Sequence, residues 1–220
     1  MRILFITLPR SKSNWVASMA SEFYTIPNLF EPYRELFALP HNNEDYHRIT
    51  KTLDSVTSGV MKIEITQLSD RHNQNKIIDL LVFNLHTFDK IYTTARTSIV
   101  DMVCSHLIAC KFDGWIFTSN TDIPKIDCMT FDPSHRDSII SMHSCLADIN
   151  TLNYVHDWLS TNSIEYTPLT YESMDEYIKT NWGNVTQTQW SATGYDYSKI
   201  FTNYKLIGNY IANYAKRMKR

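Results

Sequence analysis

Strands alternating with helices predict an α/β domain, a central parallel sheet flanked by helices in three layers. Three observations carry that expectation. Residues 3–8 and 60–65 are short apolar runs without polar alternation, as in strands buried on both faces. Apolar residues then recur at helical spacing, and prolines or polar turns separate the two patterns. The length of 220 residues suits a single domain spanning 1–220.

Ile3-Leu4-Phe5-Ile6-Thr7-Leu8 reads as the first strand and Pro9 ends it. A polar turn, Arg10-Ser11-Lys12-Ser13, leads into a helix over 14–24, with Trp15, Met19 and Phe23 on one face. In such a sheet this turn belongs at the carboxyl edge of a central strand, where ligands bind. Residues 26–47 read as irregular, broken by Pro27, Pro32 and Pro40. A second strand is expected at 60–65, a helix over 74–86, a third strand at 90–94 and a helix over 98–111. Residues 136–162 read as one long helix or two abutting ones, followed by a strand at 165–170 and a helix over 171–180. Residues 181–196 read as loop, and 197–216 as one closing helix with Ile200, Tyr204, Ile207 and Ile211 inward.

Composition excludes several classes. Lys plus Arg total 21 against 23 Asp plus Glu, a net charge of -2, which gives no electrostatic case for a nucleic-acid partner. No apolar run reaches the ~18–20 residues of a membrane span, and Ile3–Ile6 is too short for a signal peptide core. The four cysteines (Cys104, Cys110, Cys128, Cys145) form no CxxC pair and read as free thiols of a cytoplasmic protein. His41, His106, His143 and His156 form no i, i+4 pair, so no metal site is expected. With only 5 glycines, about a third of the ~7% average, the chain lacks both GxGxxG and GxxxxGK[ST].

The turn after the first strand is the first place that looks chemical. Unpaired N–H groups at a helix start attract anions, and Ser11, Ser13 and Asn14 add polar side chains there. Arg10 adds a planar positive fork that fits phosphate or sulfate. A serine-capped helix beside a surface arginine would leave the same letters.

Pro9-Arg10-Ser11-Lys12-Ser13-Asn14-Trp15 resembles the phosphosulfate loop of the sulfotransferase superfamily, with Lys12 at the family's glycine and Asn14 at its threonine. Three more segments follow in family order. Ser58-Gly59-Val60-Met61-Lys62-Ile63 is similar to the family's glycine–apolar–lysine strand. Arg96 to Ser105, reaching to Gly114-Trp115, resembles its 3′-phosphate segment. Val155 to Leu159, through Ile164 to Glu172, resembles a helix–strand block ending in Tyr-Glu. The likeness runs over residues 3–175, nearest the bacterial trehalose-sulfating type, and 181–220 has no counterpart.

The resemblance implies a P-loop-like form of the three-layer domain and a co-substrate, 3′-phosphoadenosine 5′-phosphosulfate (PAPS). Its spent form is 3′-phosphoadenosine 5′-phosphate (PAP), no metal is required, and the partner is a small hydroxylated acceptor. It assigns Arg10, Ser11, Lys12, Ser13, Asn14, Arg96 and Ser105 to the donor, and Arg10 and Lys62 to the sulfuryl group or bridging oxygen. Glu31-Pro32-Tyr33-Arg34-Glu35 is similar to the family's base segment but one residue longer, so either Glu35 or Glu31 corresponds to the base. Glu64, two residues beyond Lys62, is a third option. The aromatic ending (Trp182, Trp190, Tyr195, Tyr197, Tyr204) reads as packing or as an acceptor wall. Two other classes stay open: a module of the same fold that binds PAP without turnover, and a P-loop small-molecule kinase.

Overall fold

The computed structural model describes residues 1–30, 51, 55–65, 85–112, 128–183, 185 and 195–218. The N-terminal apolar run forms β1 (Arg2–Thr7), followed by α1 (Ser13–Tyr24). The chain continues through β2 (Asn28–Phe30), β3 (Gly59–Glu64), β4 (Lys90–Ala95), α2 (Ile99–Phe112) and α3 (Arg136–Thr161). It ends with β5 (Thr167–Thr170), α4 (Met174–Asn181), α5 (Tyr197–Ile200) and α6 (Tyr204–Met218).

The five strands make one parallel sheet in the order β2-β3-β1-β4-β5, so the first strand is the central one. Thr7 lies beside Glu64 on one side and Thr94 on the other, which brings the strands' carboxyl ends to a common edge. Alternation along β1 explains why its run is apolar throughout. Leu4, Ile6 and Leu8 pack with residues of α2, α3 and α6, while Ile3 and Phe5 pack with α1 and α4. Helices therefore cover both faces, and each apolar strand residue removed from water contributes ~1.5–3 kcal/mol.

Several elements depart from the sequence reading. The face of α1 that packs inward holds Val16, Ala17 and Ala20, with Met19 also buried, while Phe23 is 41% exposed. Small alanines let the helix lie close on the sheet, and Trp15 and Phe23 fall on its shoulders. Within 26–47, Asn28–Phe30 forms an edge strand on β3; three residues beside a proline leave no periodic signal. Gly59 opens β3 at φ 154°, where a Cβ would stand 2.8 Å from Leu29 Cδ1. The stretch expected as one helix or two is the single helix Arg136–Thr161, about 39 Å long at 1.5 Å per residue. The helix expected over 74–86 lies almost wholly outside the described residues.

The expected closing helix is broken at Phe201, which is extended (ψ 114°) and buried. Its neighbours' backbone groups are taken by a distant segment. Met129 N–H donates to Ile200 O (2.7 Å) and Thr202 N–H to Met129 O (2.8 Å). The Asn203 side chain pairs with Phe131, accepting from its N–H at 2.9 Å and donating to its carbonyl at 2.8 Å. Those non-local bonds replace the helical ladder, and no local period reveals them. Among the described residues no helix is long and apolar enough to cross a membrane.

Candidate functional site

Leu8 N–H donates to Thr94 O (2.9 Å), fixing the start of the 8–13 loop at the carboxyl edge of β4. Arg10 and Lys12 both sit at positive φ (63° and 59°), and Ser11 between them does not. Alternating φ signs turn successive N–H groups toward one concavity, the geometry of an anion-binding nest. Left-handed backbone costs a non-glycine residue ~1–2 kcal/mol, so the surroundings hold it in place. Ser11 is one such restraint. Its fully buried hydroxyl donates to Leu8 O (2.5 Å) and lies 2.6 Å from Thr94 Oγ1. That hydroxyl is spent on shaping the loop.

Lys12 holds the N-cap position of α1 without a side-chain capping bond, and the first turn carries no acidic residue. The serine cap that would explain this turn blandly is therefore not made. The Lys12 side chain runs across to α4, with Nζ 3.1 and 3.3 Å from the two Asp175 oxygens. On the way Nζ passes 4.4 Å from the Tyr171 ring centre and 5.4 Å from that of Trp15. The Lys12 side chain is thus spent on a bridge to α4.

Arg10 and Ser105, assigned to separate parts of the donor, meet directly: Nε donates to Ser105 Oγ at 2.9 Å. Ser105 is buried on α2. Arg96 lies in the turn between β4 and α2, where a side chain can reach over the sheet edge. It is 8% exposed, with Cζ 4.2 Å from the Tyr171 ring centre and 5.2 Å from that of Tyr197. Its Nε has no hydrogen-bond partner. Burial holds the Arg10 pKa below its usual value; the nearby Arg96 charge acts the same way, and Tyr197 and Glu64 oppose it. Two adjacent guanidiniums repel in a poorly solvated place, so an anion between them is favoured.

Lys62 reaches the same edge from β3. It is 1% exposed, and its Nζ donates to Asn14 Oδ1 (2.6 Å) and pairs with Glu64 Oε1 (3.1 Å). Asn14 ties that cation to the first turn of α1, beside Ser13, which is buried there. Behind Glu64 stands Asp148 of α3, 3% exposed and with Oδ2 unpartnered. Burial first, and the Glu64 charge second, push its carboxyl up to about 7. On the other side Glu172 accepts from Thr97 N–H (3.2 Å). Against the upward push of burial, that bond and the Arg96 charge hold Glu172 below the usual carboxylate range.

No family model matches this chain, and no curated protein does.

The structure brings together Arg10, Ser11, Lys12, Ser13, Asn14, Lys62, Arg96 and Ser105 at one edge of the sheet. Glu31 and Glu35 lie outside the described residues, and Glu64 sits at the edge. Sequence reasoning noted Tyr171 only as part of a Tyr-Glu ending and gave it no role, and it missed Asp148 and the positions of Tyr195 and Tyr197 beside the arginines. Tyr171 had a signal, since it directly follows β5 just as Arg96 follows β4 in the same parallel sheet. Among the described residues no group of three or more His, Cys, Asp or Glu is placed to hold a metal ion.

Proposed function

We propose that this protein is a PAPS-dependent sulfotransferase that sulfates a hydroxyl of a small acceptor, a sugar or another metabolite. One observation carries the reading. Arg10 and Ser105, 95 residues apart, bond at 2.9 Å beside a buried Arg96 whose Nε lacks an acceptor. Both segments were singled out by different motifs of one family. The alternating φ signs of the loop and the helix that follows it support a P-loop-like form of the domain.

In this reading the 8–14 loop and Arg10 hold the 5′-phosphosulfate, and Arg96 and Ser105 hold the 3′-phosphate. The acceptor oxygen attacks sulfur in line, and the bond from sulfur to the bridging oxygen breaks. The bridging oxygen leaves with PAP, and the acceptor proton passes to a carboxylate. Lys62, fixed by Asn14 and Glu64, offers its charge to the leaving oxygen. The resemblance gives the base to Glu35 or Glu31; Glu64, at the end of β3, is the third candidate. A module that holds PAP without turnover was suggested by the bulk of Lys12. That argument weakens because the Lys12 side chain leaves the loop for Asp175.

Calorimetry with PAP, with and without magnesium, tests the donor, and labelled PAPS offered to hydroxylated acceptors tests the transfer. Metal-independent PAP binding with transfer is expected. Preference for ATP–magnesium favours the kinase reading, PAP binding without any transfer favours the non-catalytic module, and no nucleotide binding overturns the proposal.

A further inference from the structure

Tyr195 opens the last described segment, two residues ahead of the Tyr197 that faces Arg96. Its hydroxyl oxygen is buried and has no hydrogen-bond partner. A buried phenol nearly always finds one, because leaving it unmade forfeits the solvation it lost. Burial raises the pKa of this phenol, so it keeps its proton and acts as a donor. Its neighbours do not need a donor. The Tyr195 and Tyr197 rings are 6.1 Å apart, the Tyr197 ring lies 5.2 Å from Arg96 Cζ, and the Arg10 charge is felt at Tyr195. Guanidiniums have no acceptor atoms, and Arg96 Nε is itself buried without one. Two orphaned donors, from residues 96 and 195, thus flank Arg10. An oxyanion with several lone pairs satisfies both at once.

We infer that the Tyr195 hydroxyl is a ligand of the phosphate group held by Arg96, supplied by a C-terminal segment outside the family resemblance. The inference rests on the proposed function for the identity of that group, the 3′-phosphate of PAP. The segment is positioned for it by the bonds that break the closing helix. Met129 and Phe131 grip residues 200–203, and that grip sets where α5, with Tyr197, and the Tyr195 before it lie.

The test is Tyr195→Phe, which deletes one oxygen, read by calorimetry and by thermal unfolding. PAP affinity is expected to fall roughly 10- to 100-fold, the scale of a hydrogen bond to a charged group. Affinity for adenosine 5′-monophosphate, which lacks the 3′-phosphate, should not change. The ligand-free protein should melt at the same temperature or higher, because the variant removes an unsatisfied buried hydroxyl. That combination separates a ligand from a structural tyrosine, whose loss lowers the melting temperature along with affinity. Unchanged PAP affinity overturns the inference, as does an equal loss for both nucleotides. A wild-type protein that ignores PAP but holds inorganic phosphate in a Tyr195-dependent way overturns the sulfotransferase reading and supports the ligand. One that holds neither overturns both.

Discussion

Replacing Asp148 by Asn removes a titrating group from the inner face of α3 and keeps its shape. That face reads Ser138, Ser141, Met142, Cys145, Asp148, Leu152, Val155 and Leu159, and Asp148 is its one ionisable carboxyl. Burial and Glu64 raise it from 3.8 to about 7, so the folded protein keeps a proton that the unfolded chain has released. Between those two values the native state binds more protons, and stability falls as pH rises. Above about 7 the full penalty is present. At ~1.4 kcal/mol per pH unit the interval sets an upper bound of about 4 kcal/mol. The charges that bear on it are Glu64 from β3 and, one turn away, the Cys145 thiol, which burial pushes up so that it stays neutral through this range. Urea unfolding of wild type and Asp148→Asn at pH 5 and pH 8 provides the assay. The variant is expected to be more stable at pH 8 by as much as that bound and to lose less between the two conditions. Equal slopes in both proteins, or a variant less stable at pH 8, would show that Asp148 is ionised and paired in solution.

Three further outcomes are expected. Arg96→Ala should weaken PAP by ~1.5–3 kcal/mol and barely affect a nucleotide without the 3′-phosphate; calorimetry giving equal losses would mean that Arg96 acts through folding. Among Glu35→Gln, Glu31→Gln and Glu64→Gln, one should cut sulfate transfer by ~10²–10⁴-fold with PAP affinity unchanged. Near-full transfer in all three would refute a glutamate base. Lys12→Gly should leave stability within about 1 kcal/mol in thermal unfolding, because relief of the left-handed backbone offsets a pair whose Asp175 partner is 66% exposed. A loss of several kcal/mol would show that the lysine bridge holds α4 in place.

The β1–turn–α1 unit was legible because a doubly buried strand, a proline and a polar turn are all local signals. Its central place in a parallel sheet followed from alternation of strands and helices along the chain. The break at Phe201 was not legible, since Ile200, Tyr204, Ile207 and Ile211 keep a helical period across it. What breaks the helix is backbone pairing with Met129 and Phe131, more than seventy residues upstream. In the site, residue types pointed to Arg10 and the resemblance to Arg96 and Ser105, but neither told who bonds whom. Ser105 was expected to serve Arg96's phosphate and is held by Arg10. Asp148 was hidden because one acid inside a long helix looks like any solvated residue until the helix is seen to bury that face.

The central place of β1 also sets the order in which this chain must be completed. Its partners begin at residues 59 and 90, so β1 leaves the ribosome before either and is flanked only once both have followed. At ~5–20 residues per second, Ile3 to Ile6 wait several seconds for β3 and longer for β4. Among the described residues every strand pairing is parallel and spans an intervening segment, with no tight hairpin to hold an apolar strand early. Such long-range, parallel wiring folds slowly and exposes sticky intermediates. The 8–13 loop inherits the delay, because residues 10–12 are braced by Thr94 and Ser105. A nascent chain arrested before residue 105 carries the Arg10 turn without the residues that hold it in shape.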